Sequence, residues 1–291
     1  MNFSMSKMLH SALVLAALLL AACGGGGGTA AAPAAPAAAA AKIPLMGGAV
    51  QGTPLSLASA SAVVSTFAGS GVSGFADGTG TAATFNNPYG ITTDGTNLYV
   101  VDDCGNPGSN DIRKVVLATG VVTTLAGSTV FGSADGTGLA ATFYCPNEIT
   151  TDGNALYVVD NGNEIRKIAP SSGSLSAMTS ANAVVTTLAG STISGAADGT
   201  GTAAKFNSPA GITTDGTSLY VTDYGNNKIR QIVIATGVVT SLTGASGVPV
   251  TPGAADGAGA TASFNSPTGI TTDGTSLYVT DYCNNQIRKI Q

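Results

Sequence analysis

Short runs of apolar residues alternate with turn-forming residues along most of the chain, and the alternation repeats. From Gly211 to Ile232 the sequence reads G-I-T-T-D-G-T-S-L-Y-V-T-D-Y-G-N-N-K-I-R-Q-I. Residues 212–214 predict a strand ended by Asp215-Gly216, a pair suited to a tight turn. Residues 219–222 predict the return strand, 223–227 a second polar turn and 228–234 a third strand, in which Ile229, Ile232 and Ile234 mix with polar residues. After Ala235-Thr236-Gly237, residues 238–242 predict a fourth strand. Four short antiparallel strands joined by turns and repeated in tandem predict an all-β protein in which each repeat is one propeller blade.

Aligned on the Asp-Gly turn, the copies fall at Asp94, Asp152, Asp215 and Asp273, spaced 58, 63 and 58 residues apart. Before each lies a loop reading A-D-G-[TA]-G, with its acid at Asp77, Asp135, Asp198 and Asp256. The blade core resembles the NHL repeat, marked by Pro-x-Gly-Ile, an apolar-Tyr-Val-x-Asp strand and an Asn-x-Ile-Arg-Lys strand. Pro88, Tyr99, Asp102, Ile112 and Arg113 carry these marks in the first copy, and Pro267, Tyr278, Asp281, Ile287 and Arg288 in the last. The resemblance spans residues 63–291 and implies an interaction platform built as a propeller. NHL propellers most often have six blades; four are counted here.

Residues 63–67 match 121–125, 184–188 and 238–242, which are all predicted fourth strands, yet no hairpin precedes them. The chain ends on Ile287-Arg288-Lys289-Ile290-Gln291, a third strand with no fourth after it. The surplus strand is therefore expected to complete the last blade and close the ring, removing exposed sheet edges. The predicted fold is a four-bladed β-propeller over residues 62–291, closed by its N-terminal strand.

Residues 1–22 carry Lys7, an apolar run over 12–20 and then Leu20-Ala21-Ala22-Cys23. The run is too short to span a bilayer and reads as a signal peptide. Its ending resembles the bacterial lipobox, which implies lipidation of Cys23 and hence a membrane anchor. No Asp follows Cys23, which points to the outer membrane or cell surface rather than the inner membrane. From residue 24 to 61 the composition is Gly, Ala and Pro with Lys42 as the only charge, so this stretch is read as a flexible linker.

The formal charge is −5, and loss of the leader removes one lysine and no acid, giving −6. Without a basic patch, no nucleic-acid partner is expected. The single histidine, His10, lies in the leader, so the mature chain has no imidazole for a metal, a nucleophile pair or general-base work. No metal and no cofactor are expected. Twelve of the 16 acids occupy three repeated positions: the A-D-G loop, the first turn, and the second-strand end at Asp102, Asp160, Asp223 and Asp281. The arginines Arg113, Arg166, Arg230 and Arg288 share one third-strand position. A residue required in every blade reads as scaffold. The second-strand aspartates are expected to accept N–H groups of the following turn and to pair with the arginines. The Gly-Thr-Ala-Ala-x-Phe run after Asp77 predicts one helical turn capped by Asp or Thr. These loops lack the spaced Asp-x-Asp-x-Asp pattern of a calcium site.

Specific function is sought where the copies differ, and most differences fall on the face formed by the second turn and the loop leading into each blade. There the Pro-x-Gly triplet reads Pro88-Tyr89-Gly90, Pro146-Asn147-Glu148, Pro209-Ala210-Gly211 and Pro267-Thr268-Gly269. Only blade two places a carboxylate, Glu148, near the axis. Asp103 stands in a lengthened turn, where other copies have Asn161, Tyr224 and Tyr282. Tyr89, Asp103, Asn147, Glu148, Tyr224 and Tyr282 are the candidate binding residues; no catalytic residue is assigned. Cys104 and Cys145 lie on adjacent loops of that face and are expected to form a disulfide, with Cys283 left reduced. Residues 169–182, on the opposite face, read as a surface excursion. The favoured reading is a monomeric, lipid-anchored binding or scaffold module for an envelope protein, peptide or glycan. The second is a glycan lyase or hydrolase that uses carboxylates.

Overall fold

A computed structural model describes residues 62–102, 110–244 and 247–291. In each copy the Asp-Gly pair reverses the chain with the glycine at positive φ, from 85° at Gly95 to 90° at Gly216. The aspartate braces the turn from its side chain: Asp215 Oδ1 accepts the N–H groups of Thr217 (2.8 Å) and Ser218 (2.7 Å), and its Oδ2 accepts Tyr220 OH (2.8 Å). Around this turn Pro209–Thr214 pairs with Ser218–Asp223, which pairs with Lys228–Val233 and then Val238–Ser241, all antiparallel. Blade one repeats the order in Pro88–Thr93, Asn97–Asp102, Asp111–Val116 and Val121–Gly127. Blade two uses Pro146–Thr151, Leu156–Asp160, Glu164–Pro170 and Ala183–Gly190.

A two-residue strand from the A-D-G loop, Gly78–Thr79, Gly136–Thr137 or Gly199–Thr200, adds a fifth strand outside the fourth in blades one to three. The short helical turn expected after it is a single 3-10 turn, as at Gly80–Ala82 and Gly201–Ala203. No side chain caps it, contrary to expectation, because the loop acids are engaged by the arginines instead.

The four antiparallel sheets are arranged in a ring, a four-bladed β-propeller, with the inner strands of blades one and two, two and three, and three and four packed against one another. The apolar core lies between blades. One cluster joins Tyr99, Val101, Ile112 and Leu125 of blade one to Ile149, Leu156, Val158 and Ile168 of blade two, and a second joins Tyr157, Val159 and Ile165 to Leu219, Val221 and Ile232.

Blade four has three strands: Pro267–Thr272, Leu277–Asp281 and Gln286–Ile290. The expected closing strand is not formed. Residues 62–67 are exposed and unpaired, and the inner strands of blades four and one do not pack as the others do. A Cβ at Gly90 would stand 2.6 Å from the Asn147 carbonyl oxygen of the next blade, and one at Gly211 would collide with the Thr268 carbonyl. At Gly269 it would meet only Thr280 of its own blade. The physical reason lies at the far end of the segment. Gly69 N–H donates to Gly80 O (3.1 Å), as Gly244 N–H donates to Gly259 O (3.2 Å) between blades three and four. Residues 63–67 are thus tied to blade one, and blade one stands away from the edge they match.

Residues 169–182 are also not a free excursion. Leu175 and Met178 are buried, and blade one holds the loop by its carbonyls: Tyr99 OH donates to Leu175 O (3.0 Å), Asn97 Nδ2 to Ser176 O (3.1 Å), and Lys114 Nζ to Ser176 O (2.7 Å) and Met178 O (2.9 Å). The loop clamps blade two onto blade one.

Candidate functional site

The repeated charges build the blades. Arg113 Nη1 donates to Thr84 O (3.0 Å) and Asp102 Oδ2 (3.1 Å), and Nη2 to Ala76 O (3.2 Å) and Asp77 Oδ1 (2.9 Å). Its guanidinium lies over the Phe85 ring, 5.2 Å from the centroid. Arg166, Arg230 and Arg288 repeat the arrangement over Phe143, Phe206 and Phe264. A buried guanidinium with its donors divided between two carboxylates and two carbonyls explains why arginine rather than lysine stands there. The expected pairing with Asp102, Asp160, Asp223 and Asp281 is present. Their other oxygen accepts an N–H from the loop sixteen residues earlier, with Asn86, Tyr144, Asn207 and Asn265 donating at 2.6–2.8 Å, while in blades three and four the following turn reaches Asp223 and Asp281 through the side-chain amides of Asn226 (2.9 Å) and Asn284 (2.8 Å). The lead-in loop must pass that carboxylate on its way to the axis, which is why it supplies the donor.

With those groups accounted for, the face formed by the second turns and the lead-in loops remains. Its two kinds of loop do meet: Asn163 Oδ1 of blade two accepts Ser208 N–H of blade three (2.9 Å), and Asn227 Oδ1 accepts Ser266 N–H (2.8 Å). Glu148 replaces the glycine of the other copies and packs beside Gly90, where a Cβ would stand 3.0 Å from its Oε1. Burial raises its carboxyl above the ordinary range, opposed by the N–H of Ile149 at 3.2 Å. Asn147 is half-buried beside it, and Tyr89 of blade one is exposed. Tyr224 and Tyr282 open the 3-10 turns Tyr224–Asn226 and Tyr282–Asn284, the first half-buried and the second exposed. Blades one and two therefore bring Tyr89, Asn147 and Glu148 to one junction, while the two other tyrosines stand on blades three and four. Asp103, Cys104 and Cys23 lie outside the described residues. Cys145 and Cys283 are not free thiols, which corrects the expectation that Cys283 stays reduced. Its repeat position fixes the face it stands on but says nothing of what else reaches that face.

Sequence reasoning missed Asp111 and Glu164, the first residues of their third strands and both buried. Asp111 Oδ1, Glu164 Oε2 and both side-chain polar atoms of the buried Asn110 make no hydrogen bond. Burial drives the Asp111 carboxyl up to about 7, against the pull of Arg113, with Asp102 and Asp77 adding to the rise. The signal was available: this position reads Asp111, Glu164, Lys228 and Gln286, the one third-strand site whose charge changes sign between copies.

On the opposite face a cavity of about 320 Å³ is lined by Asp94, Thr96, Asp152, Asn154 and the clamp residues Ser174–Ser176. Its carboxylates are already satisfied. Asp94 accepts the Thr96 and Asn97 N–H groups and Tyr99 OH, and Asp152 those of Asn154, Ala155 and Tyr157 OH. Both oxygens of each are thus engaged by the turn that the aspartate braces.

No known protein family and no curated protein matches the sequence. Among solved structures the chain is similar to an auxiliary nutrient binding protein from Bacteroides thetaiotaomicron, at 21% identity over 72% of this chain and 49% of that one, with a TM-score of 0.56. It is likewise similar to an auxiliary nutrient binding protein from Bacteroides ovatus, at 21% identity over 72% and 49%, with a TM-score of 0.53. Virginiamycin B lyase from Staphylococcus aureus aligns at 22% identity over 72% and 55%, with a TM-score of 0.42. The chain spans about half the length of the two nutrient-binding structures it matches.

Proposed function

We propose that this chain is an NHL-like propeller, exported and anchored through a lipid on Cys23, that serves as a binding or scaffold module for a protein, peptide or glycan of the cell envelope. The observation that carries this reading is Glu148, a half-buried carboxylate that replaces a glycine and has no basic partner among the described residues, flanked by Asn147 and Tyr89 at the junction of blades one and two. A lone carboxylate beside an amide and an aromatic ring recognises hydroxyl or amide donors. The carboxylates hydrogen-bonded to the arginines belong, by contrast, to the blade scaffold. The auxiliary nutrient-binding role of the two Bacteroides proteins is in keeping with a propeller used for binding.

The test is a panel of envelope glycans and peptides offered to the full chain in detergent. Saturable binding that weakens at least tenfold in Glu148→Gln and Tyr89→Ala is expected, with no turnover of any panel member. Cleavage of a glycan that is lost in Glu148→Gln would instead establish the second reading, a carboxylate-based lyase or hydrolase.

A further inference from the structure

Blades one to three each hold their fourth strand in a slot with two sides. Val121–Gly127, for example, pairs with Asp111–Val116 on one side and with Gly78–Thr79 on the other. Among the described residues, blade four has both walls of the slot and no strand between them: Gln286–Ile290 has no partner on its outer side, and Gly257-Ala258, which stand where Gly78–Thr79 and Gly199–Thr200 stand, form no strand.

The same gap shows in the side chains. Asp77 Oδ1 accepts the N–H (2.8 Å) and hydroxyl (3.0 Å) of Thr124 on the fourth strand. Asp135 accepts the hydroxyl of Thr187 (3.2 Å), and Asp198 that of Ser241 (2.9 Å). Asp256 receives no such hydroxyl among the described residues, and its side chain is 96% exposed against 23% for Asp198. Ile287 is 70% exposed although Ile112, Ile165 and Ile229, at the same position, are fully buried. Across the seam Ile91 is 57% exposed, while Ile149 and Ile212 are at 3% and 5%.

One described segment fits the slot. Residues 63–67 read V-V-S-T-F, against V-V-T-T-L at 121–125, and bring Thr66 to the position of Thr124, Thr187 and Ser241. Val63 and Val64 are 88% and 98% exposed. The segment is held on blade one by the Gly69–Gly80 bond, and blade one does not pack on blade four of its own chain as the other neighbouring blades pack on each other.

We propose that the occupant is a second copy of this chain. Residues 63–67 of one copy enter blade four of the other as its fourth strand, Thr66 supplies its N–H and hydroxyl to Asp256, and blade one of the first copy follows blade four of the second. An added strand gains main-chain hydrogen bonds along its length and removes two exposed sheet edges. The contact is head to tail, so two copies joined at both seams leave no end open. The monomer expected from the sequence is replaced by this dimer.

The experiment co-expresses two differently tagged full-length chains, one Thr66→Cys and the other Asp256→Cys. A mixed-tag disulfide band on a non-reducing gel is expected, absent when either variant is paired with wild type. Light scattering on the wild-type chain in mild detergent should give a dimer mass. The proposal is overturned if a chain carrying both substitutions cross-links only within itself, which would mean closure in one chain, or if the wild-type chain is a monomer at micromolar concentration.

Discussion

Two junctions of this ring are built from the same repeat and end in opposite states. Between blades one and two, Gly90 touches Asn147 and Glu148, Ile149 is buried, and the clamp of residues 169–182 offers its carbonyls to Tyr99, Asn97 and Lys114. Between blades four and one, the matching glycine, Gly269, meets no neighbouring blade, and Ile91 and Ile287 face solvent. The residue types are nearly the same on both sides. What differs is covalent order: blades one to three carry their fourth strand directly after their third, whereas blade four depends on a segment that is joined to blade one. The repeat therefore specifies each blade locally but leaves closure to whatever meets the last edge.

The largest expected effect that separates the junctions is at the buried arginines. Arg166→Ala leaves Asp160 buried without its cation and should cost about 3–5 kcal/mol. Arg288→Ala should cost less, because its second carboxylate, Asp256, is in water. Denaturant midpoints of the two variants compare them directly, and equal losses would remove the distinction. Next come the isoleucines. Ile165→Ala should lose about 2–5 kcal/mol by opening a cavity, and Ile287→Ala, measured on dilute protein, within about 0.5 kcal/mol of nothing.

Smaller is the pH effect at Asp111. Its carboxyl rises from 3.8 to about 7 on folding, so the folded state holds a proton that the unfolded state has released. Stability should therefore be greatest below the unfolded value, fall as pH climbs from about 4 to 7, and level off above. Asp111→Asn should flatten that fall and stabilise the protein by about 1–3 kcal/mol at pH 8, as read from melting across the pH series. A wild-type profile already flat over that range would show the carboxylate to be satisfied. The smallest effect is at Tyr89, where alanine should leave the melting temperature unchanged while weakening ligand binding; a large loss of stability would make it a packing residue.

Much of this was legible in the sequence because a repeat tests its own reading. The Asp-Gly turns and the pairing of Arg113 with Asp102 recur four times and the order of four strands three times, so local chemistry settles them. The hydrogen bond from Asn86 to Asp102 was not legible because Asn86 lies sixteen residues back and is brought close only by the path of the loop toward the axis. The clamp was misread for a related reason: its small, polar residues give no apolar period, and it is buried through carbonyls that any sequence has. Glu148 stood out as the break in a glycine pattern, but Asp111 did not, since a charged residue opening a strand looks solvated until neighbouring loops cover it. Closure was misjudged because matching strands state which edges fit, not which chain supplies them.

The comparison between the junctions is tested most directly by amide hydrogen exchange on the full chain as a function of concentration. The account predicts that Glu164–Pro170 stays protected throughout, while the amides on the outer edge of Gln286–Ile290 exchange freely in dilute protein and become protected, together with residues 63–67, as concentration rises. Protection of Gln286–Ile290 equal to that of Glu164–Pro170 at every concentration would contradict it and place the closing strand within one chain.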